Sequence, residues 1–326
     1  MTKKLLCPLD KNPLQKWLHI SGDRRRPSEK TFYQLYWCNK CKYGILHPRA
    51  NQYRDTLQFY NVEDRPFYTH SDELSNNNSQ TNIKFLDKLL LHFAWRFDRG
   101  AEISASTIDK LINKKGTILE IGCGAGKLLL DCKKLGHSVF GIEPDPKARK
   151  VSLSKGLQVK DGTAENLPDR LQEVYFDVIV MKHVLEHCLD PMLALSNLKK
   201  LLKPGGIFIC EVPNNNCIGA RWAGASWSHL GVPRHVNFFT DKSLKACIQK
   251  AEFEIVSTKF SGYCRQFKKE NIDLEQKSYD FFTSRNNDNS LPVRPSSLTR
   301  WIMLIFSAMA SASYKYDSVI VISRLV

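Results

Sequence analysis

The stretch Thr117–Leu130, TILEIGCGAGKLLL, constrains the fold of this chain more than any other. Apolar, β-prone residues (Thr117 to Leu119, then Ile121) run straight into Gly122-Cys123-Gly124-Ala125-Gly126, and a helical run from Lys127 to Leu135 follows at once. Strand, glycine turn and helix in this order hold a nucleotide-like ligand. The glycines let the backbone turn tightly and approach the ligand with no side chain between them. The helix N-terminus adds N–H groups that have no partner within the helix.

The spacing is G-x-G-x-G, with Glu120 two residues before the first glycine. The dinucleotide fingerprint is G-x-G-x-x-G, in which the helix N-terminus faces a pyrophosphate. A carboxylate at the mouth of the turn suits a ligand with an amino group or a cation better than a diphosphate. The stretch therefore favours S-adenosylmethionine over NAD. Both stay open at this point, as does an ordinary glycine-rich turn.

From residue 117 onward strand and helix patterns alternate, which predicts a parallel sheet covered by helices on both faces. Ser138–Ile142 reads as the second strand and ends in Glu143-Pro144-Asp145. An acidic residue at that place can accept both hydroxyl protons of a ribose, and Asp145 can cap the next helix. Leu157–Lys160 is a third strand ending in Asp161-Gly162-Thr163-Ala164-Glu165, where Asp161 could accept from an adenine amino group. Phe176–Val180 is a fourth, followed by Met181-Lys182-His183. A helix stops at Lys-Pro-Gly-Gly before a fifth strand, Ile207–Val212. Glu254–Phe260 and Ser318–Arg324 read as two more.

The first 50 residues differ in character. Cys7-Pro8-Leu9-Asp10 is followed by Cys38-Asn39-Lys40-Cys41. A C-x-x-C turn presents two thiolates to one tetrahedral metal. Cys7, Cys38 and Cys41 are the candidate zinc ligands, Asp10 stands where a second C-x-x-C would place its partner, and His19 and His47 are further candidates. Residues 51–115 read as a linker with covering helices. Within them Ile83, Leu86, Leu90, Phe93 and Phe97 form one helical stripe. In the chain's last third, Trp301–Ala312 is apolar, and Trp301, Leu304, Ile305, Ala308 and Met309 share a helical face. That face either packs on the core or meets a membrane or a lipid-linked substrate.

Ten cysteines scatter without a dense framework, and the start carries no apolar core of signal length, so a reducing, cytoplasmic location is expected. No run of eighteen apolar residues is present. The net charge is +15, and residues 1–115 hold 20 Lys and Arg against 12 Asp and Glu. Such an excess serves solubility or attracts an acidic partner. The basic residues are dispersed and no RNA-binding motif is evident, which argues against nucleic acid. His183-Val184-Leu185-Glu186-His187 spells H-x-x-E-H, a zinc-protease pattern. It follows a buried strand directly, and Pro191 ends any first helix within about one turn, so that chemistry is set aside.

Taken together, ILEIGCGAG, Glu143, DGTAENLP at 161–168, FDVIVMKHVLEH at 176–187, LKPGGIFICEVPN at 202–214 and PRHVNFFT at 233–240 resemble the class I S-adenosylmethionine-dependent methyltransferases, in their order and spacing. The whole chain resembles bacterial members with a cysteine ribbon ahead of that domain. In those the ribbon reads CPxC and then CxxC; CPLD and CNKCKYGILHPR keep the pattern except for Asp10. The resemblance implies a doubly wound, Rossmann-like α/β sheet of seven strands, with the last strand antiparallel and inserted between the fifth and sixth. It also implies a methyltransferase domain over 116–326, with 261–317 as a lid. By position, Glu120, Gly122, Cys123, Gly124 and Gly126 would border the methionine part of the cofactor. Glu143 and Pro144 would meet the ribose, Asp161, Ala164 and Glu165 the adenine, and Met181 and Lys182 the other face.

The reaction implied is attack by a substrate nucleophile on the sulfonium methyl, with the protein aligning the partners. A hydroxyl nucleophile needs a base. His187 and His235 are the best candidates, each in a loop after a strand, with His229 third. No D/N-P-P-Y/F motif of amino-group methyltransferases follows the fifth strand, where Val212-Pro213-Asn214 stands instead. That favours a small-molecule, sugar or lipid-linked hydroxyl. The alternatives are an RNA methyltransferase and a non-catalytic, cofactor-binding scaffold.

Overall fold

The computed structural model describes residues 5–28, 31–49, 85–169, 171, 174–285 and 293–325. The expected linker over 51–80 and the first residue of the expected helical stripe, Ile83, lie outside them.

Three N-terminal strands come first: β1 (Gln15–Ile20), β2 (Tyr33–Cys38) and β3 (Tyr43–His47). Helices α1 (Phe85–Phe97) and α2 (Ala105–Ile112) lead into an alternating series: β4 (Thr117–Ile121), α3 (Lys127–Lys134), β5 (Ser138–Ile142), α4 (Pro146–Ser154), β6 (Gln158–Lys160), β7 (Phe176–Lys182), α5 (Pro191–Leu201) and β8 (Leu202–Pro213). Then follow α6 (Ile218–Ala223), β9 (Asn237–Phe238), α7 (Asp241–Lys250), β10 (Phe253–Ser261), α8 (Lys269–Thr283), α9 (Ser297–Ser307) and β11 (Ser318–Leu325).

The main sheet has the strand order β10-β11-β8-β7-β4-β5-β6. β4 pairs in parallel with both β5 and β7, and β11 runs antiparallel between β8 and β10. This is the expected seven-stranded arrangement. The central strands are apolar on both sides: Phe176 to Met181 and Ile207 to Val212 are all buried, the carboxylates Asp177 and Glu211 among them. β4 and β7 end side by side in the middle of the sheet, so the glycine turn and the residues after Lys182 open at the same edge. There the strand order reverses, which is where doubly wound sheets bind ligands.

β8 begins at Leu202, five residues before the expected start, because Lys-Pro-Gly-Gly is absorbed into the strand opposite Phe176. The N-terminal strands form a second sheet, β1-β2-β3-β9, completed by Asn237–Phe238 from beyond the main sheet's fifth strand. Tyr43 Oη donates to Asn237 Oδ1 at 2.5 Å at this junction.

Two expected helix faces are rotated. α1 buries Asp87, Leu90 and Ala94, while Leu86, Phe93 and Phe97 are exposed. Asp87 is drawn inward because the Ser297 hydroxyl donates to it at 2.7 Å. α9 starts at Ser297, not at Trp301, and buries Arg300, Met303, Leu304 and Ser307, leaving Ile305 and Met309 outside. The cause is again polar: Arg300 forms a buried ion pair with Glu275 of α8.

Candidate functional site

The turn after β4 divides its labour among three glycines, at φ +67°, +53° and +75° for Gly122, Gly124 and Gly126. A Cβ on Gly122 would meet Val184 Cγ2 at 2.5 Å, and one on Gly126 would meet Leu157 Cδ1 at 2.3 Å. Those two glycines let the turn pack. A Cβ on Gly124 would meet nothing within 4 Å, so this glycine faces open space, where a ligand can approach the backbone. Cys123 is buried, its Sγ 2.7 Å from where a Cβ on Gly141 would lie. It packs into the sheet and leaves only its backbone to the turn.

Glu143, at the end of β5, reaches back across this turn. Its carboxylate accepts from Gly124 N at 2.8 Å and from Asp145 N at 2.9 Å. Burial raises its pKa, while those two N–H groups oppose the shift. The carboxylate is thus held in one orientation, with lone pairs left for a diol. Asp145, after Pro144, caps α4 through Lys147 N, as expected. Glu120 is buried inside β4, and its Oε2 has no hydrogen-bond partner among the described residues. Burial pushes it up to about 8, Lys182 pulls it back, and Glu143 adds to the rise. A buried, unsatisfied acid beside an open glycine fits a ligand carrying an ammonium or sulfonium group.

The remaining expected cofactor residues border the same edge. Asp161 is largely exposed and pairs with Arg149 at 3.0 Å, and Arg149 also holds the Glu143 carbonyl at 2.6 Å. The carbonyls of Ala164 and Glu165 both accept from Asn197 Nδ2 at 3.1 Å, and the Glu165 carboxylate accepts from Asp190 N at 2.6 Å. Met181 is buried. Lys182 turns its side chain the other way, with Nζ 3.9 Å from Glu211 Oε2.

Lys182 and Glu211 line a cavity of about 400 Å³ together with Trp95, Gly100, Ser261 and Arg265. Behind it lies a dense set of titratable groups. Glu211 Oε1 accepts from Ser261 Oγ at 2.5 Å, and neither Glu186 oxygen has a hydrogen-bond partner among the described residues. The His183 ring lies between them, 3.5 Å from Glu186 Oε1 and 3.9 Å from Glu211 Oε1. His183 sits at φ +55°, a left-handed conformation uncommon outside glycine. The sequence marked it only as the first residue of the H-x-x-E-H pattern that was set aside, and gave it no role in the site.

His187 Nδ1 lies 3.0 Å from the Arg234 carbonyl, so that nitrogen carries the proton and Nε2 is left as acceptor. Its ring meets that of His235 edge to face at 4.6 Å. Burial holds both imidazoles below the usual range, so both are neutral near pH 7. The two expected base candidates, 48 positions apart in the chain, are therefore neighbours. Glu186 joins them, with donor atoms of all three within 4.8 Å of one another, close enough to share a proton or an ion. Leu185–His187 is a single 3-10 turn, not the sustained helix a zinc protease needs. His229 is pulled down to about 3 by burial and lies 3.5 Å from Asp317, which also holds Arg265.

In the N-terminal sheet, Cys7, Asp10, Cys38 and Cys41 bring their donor atoms within 4.8 Å of one another. Cys7 Sγ is 3.4 Å from Cys41 Sγ, and Cys38 Sγ is 3.5 Å from both Asp10 oxygens. The Cys41 thiol pulls Cys7 down to about 7 and is itself pushed up. His19 and His47 do not join this group; they stack on Phe32 and pack against Tyr36.

A seven-stranded sheet with an antiparallel last strand, a glycine turn after β4 and a buried acid at the end of β5 are the features of the S-adenosylmethionine-dependent methyltransferase class. Comparison with known proteins agrees: this chain belongs to the methyltransferase domain family, which it matches over residues 93–258. It is 33% identical over 193 residues to a ubiquinone biosynthesis O-methyltransferase of Cereibacter sphaeroides, covering 55% of this chain and 74% of that one. A protein of the same name from Dinoroseobacter shibae is 32% identical over 173 residues, 48% and 68% of the two chains. Among solved structures, an S-adenosylmethionine-dependent methyltransferase from Archaeoglobus fulgidus superposes with a TM-score of 0.46 at 19% identity, over 68% of this chain and 92% of that one. The chain is an S-adenosylmethionine-dependent methyltransferase.

Proposed function

We propose that this enzyme methylates a hydroxyl oxygen of a small molecule. The observation that carries this reading is the buried cluster of Glu186, His187 and His235 after β7, which reaches the cavity wall through His183 and Glu211, 3.9 Å apart. S-adenosylmethionine brings a methyl group on an already charged leaving group. The protein's tasks are alignment and removal of the hydroxyl proton. Glu143 holds the ribose hydroxyls, and Glu120 with the backbone of Gly122, Cys123, Gly124 and Gly126 holds the methionine end. Pro144, Asp161, Ala164, Glu165, Met181 and Lys182 border the remainder. His187 accepts the hydroxyl proton, with His235 beside it and Glu186 stabilising the charged imidazole. Asn214 is fully buried: its amide nitrogen donates to the carbonyls of Ser313 and Tyr316 at 2.7 and 2.9 Å and its Oδ1 accepts from Asn216 N at 3.1 Å, so it is committed to the fold and not to a substrate amine. The relatives named above are O-methyltransferases, which supports the same choice. The test is a screen of phenolic, sugar and lipid-tailed alcohols against amines, read as S-adenosylhomocysteine released. Turnover with amines alone would overturn the reading.

A second reading concerns zinc. A tetrahedral zinc with sulfur bonds of ~2.3 Å separates its sulfurs by about 3.8 Å, close to the spacing of Cys7, Cys38 and Cys41 with Asp10 as fourth donor. Zinc there would pin the ribbon, residues 1–50, to the body. Residues 51–115 would then connect and cover, and 261–317 would roof the acceptor site of the 116–326 domain. The ten free cysteines suit a reducing compartment, and a cytoplasmic location belongs to this reading.

A further inference from the structure

α1 and α9 lie side by side, joined by the Ser297–Asp87 hydrogen bond and by ring contact of Phe93 with Trp301 at 6.0 Å. The outer face of α9 is apolar, while that of α1 mixes apolar residues with exposed Lys88, His92 and Arg96. α9 and the turn after it expose Leu298 (71%), Ile305 (72%), Phe306 (64%) and Met309 (90%), at i, i+7, i+8 and i+11. These stand opposite its buried face of Arg300, Met303, Leu304 and Ser307. α1 adds Phe85 (77%), Leu86 (61%) and Trp95 (66%). Proteins seldom leave a contiguous patch of this kind to water without a use for it.

The charges around the patch are sorted by sign. α9 carries a single charged side chain, Arg300, and it is buried against Glu275. On α1 and the turn after it, the acids face inward: Asp87 takes the Ser297 hydroxyl, and Asp98 accepts from Gly100 N and Cys264 N at 2.9 and 3.2 Å. The exposed charges there are Lys88, Arg96 and Arg99, all cationic. Apolar and aromatic groups ringed by cations are the chemistry of a helix lying in an anionic lipid surface. Trp95 belongs both to this patch and to the rim of the acceptor cavity, so a lipid-borne acceptor leaving the surface would meet the cavity at once.

We propose that the α1–α9 face docks the enzyme on an anionic phospholipid surface and that its acceptor is drawn from that surface into the cavity past Trp95. The second half of this proposal rests on the acceptor reading above; the docking does not. Among the described residues no helix is long and apolar enough to cross a membrane, so the contact lies in the interface plane.

The test is flotation of the full chain with phosphatidylcholine vesicles, with and without phosphatidylglycerol. The double variant Ile305→Glu/Met309→Glu and the charge variant Lys88→Glu/Arg96→Glu are run beside it. Calorimetric binding of S-adenosylhomocysteine and light scattering serve as controls. The expected result is binding to the anionic vesicles, with each double variant lowering the bound fraction about ten-fold. Cofactor-product affinity should be unchanged and every protein monomeric. Binding that ignores both variants, or equals that to neutral vesicles, overturns the proposal. So does a dimer that the Ile305→Glu/Met309→Glu variant dissociates, because the face would then belong to a second copy. A variant that floats normally yet fails to bind S-adenosylhomocysteine would count against the cofactor site and leave docking standing.

Discussion

Two buried carboxylates at the same edge of the sheet are treated in opposite ways. Glu143, on the cofactor side, is met by two backbone N–H groups that fix its orientation. Glu186, on the acceptor side, has no hydrogen-bond partner among the described residues and is surrounded by imidazoles. The first arrangement holds a group that does not change during the reaction. The second leaves carboxylate oxygens unpartnered beside neutral histidines, where they can accept from an imidazole that gains a proton. A rigid cradle and an unsaturated proton station thus sit at the ends of β5 and β7, on either side of β4.

The sharpest break between turn packing and ligand approach is expected from two alanines. Gly126→Ala combines a left-handed φ with a 2.3 Å clash at Leu157 and should lower stability by about 4 kcal/mol. Gly124→Ala meets no protein atom and should cost about 1 kcal/mol, while weakening S-adenosylhomocysteine strongly. Thermal melts and calorimetry on the pair separate the two effects. On the acceptor side, His187→Ala should lower turnover of a hydroxyl substrate about a hundred-fold with product affinity unchanged. His183→Asn, which tolerates the left-handed turn, should lower it about ten-fold by loosening Glu186. Equal turnover in both would remove the histidine cluster from the chemistry.

Glu143→Ala should weaken S-adenosylhomocysteine by about 2 kcal/mol, the scale of a charge-assisted hydrogen-bond pair; unchanged affinity would take Glu143 out of the site. A further effect is one of pH. Glu120 stays protonated in the fold up to about 8, against an ordinary value of 4.5. The free enzyme should therefore be most stable below pH 4.5 as far as this group is concerned, and should lose that contribution as pH rises toward 8. Glu120→Gln should flatten the fall in melting temperature between pH 6 and 8, and a variant that melts with the wild-type slope would show that Glu120 is not the group responsible.

The cofactor side was legible because its signals are local. A glycine turn, an acid at a strand end and a proline-started helix each sit within a few residues; their alternation predicted a parallel sheet, and the strand order was implied by the family resemblance. The acceptor side was not, because its decisive contacts are long-range. His187 and His235 could be named as candidates, but their ring contact could not be foreseen, and His183 owes its position to a backbone angle that no residue pattern reveals. The helix faces failed for a related reason. Asp87 and Arg300 lie outside the expected apolar stripes, yet each is buried by a partner elsewhere in the chain, Ser297 and Glu275, and each turns apolar residues outward. The ribbon's cysteines were readable by spacing, whereas its fourth strand, Asn237–Phe238, lies some two hundred residues away.

The measurement that bears most directly on the whole account is a calorimetric titration of the protein with S-adenosylhomocysteine, with a reduced nicotinamide cofactor as control. Saturable one-to-one binding of the first and none of the second is the result expected from the glycine turn, Glu120 and Glu143. Binding of the nicotinamide cofactor, or of neither, would contradict it.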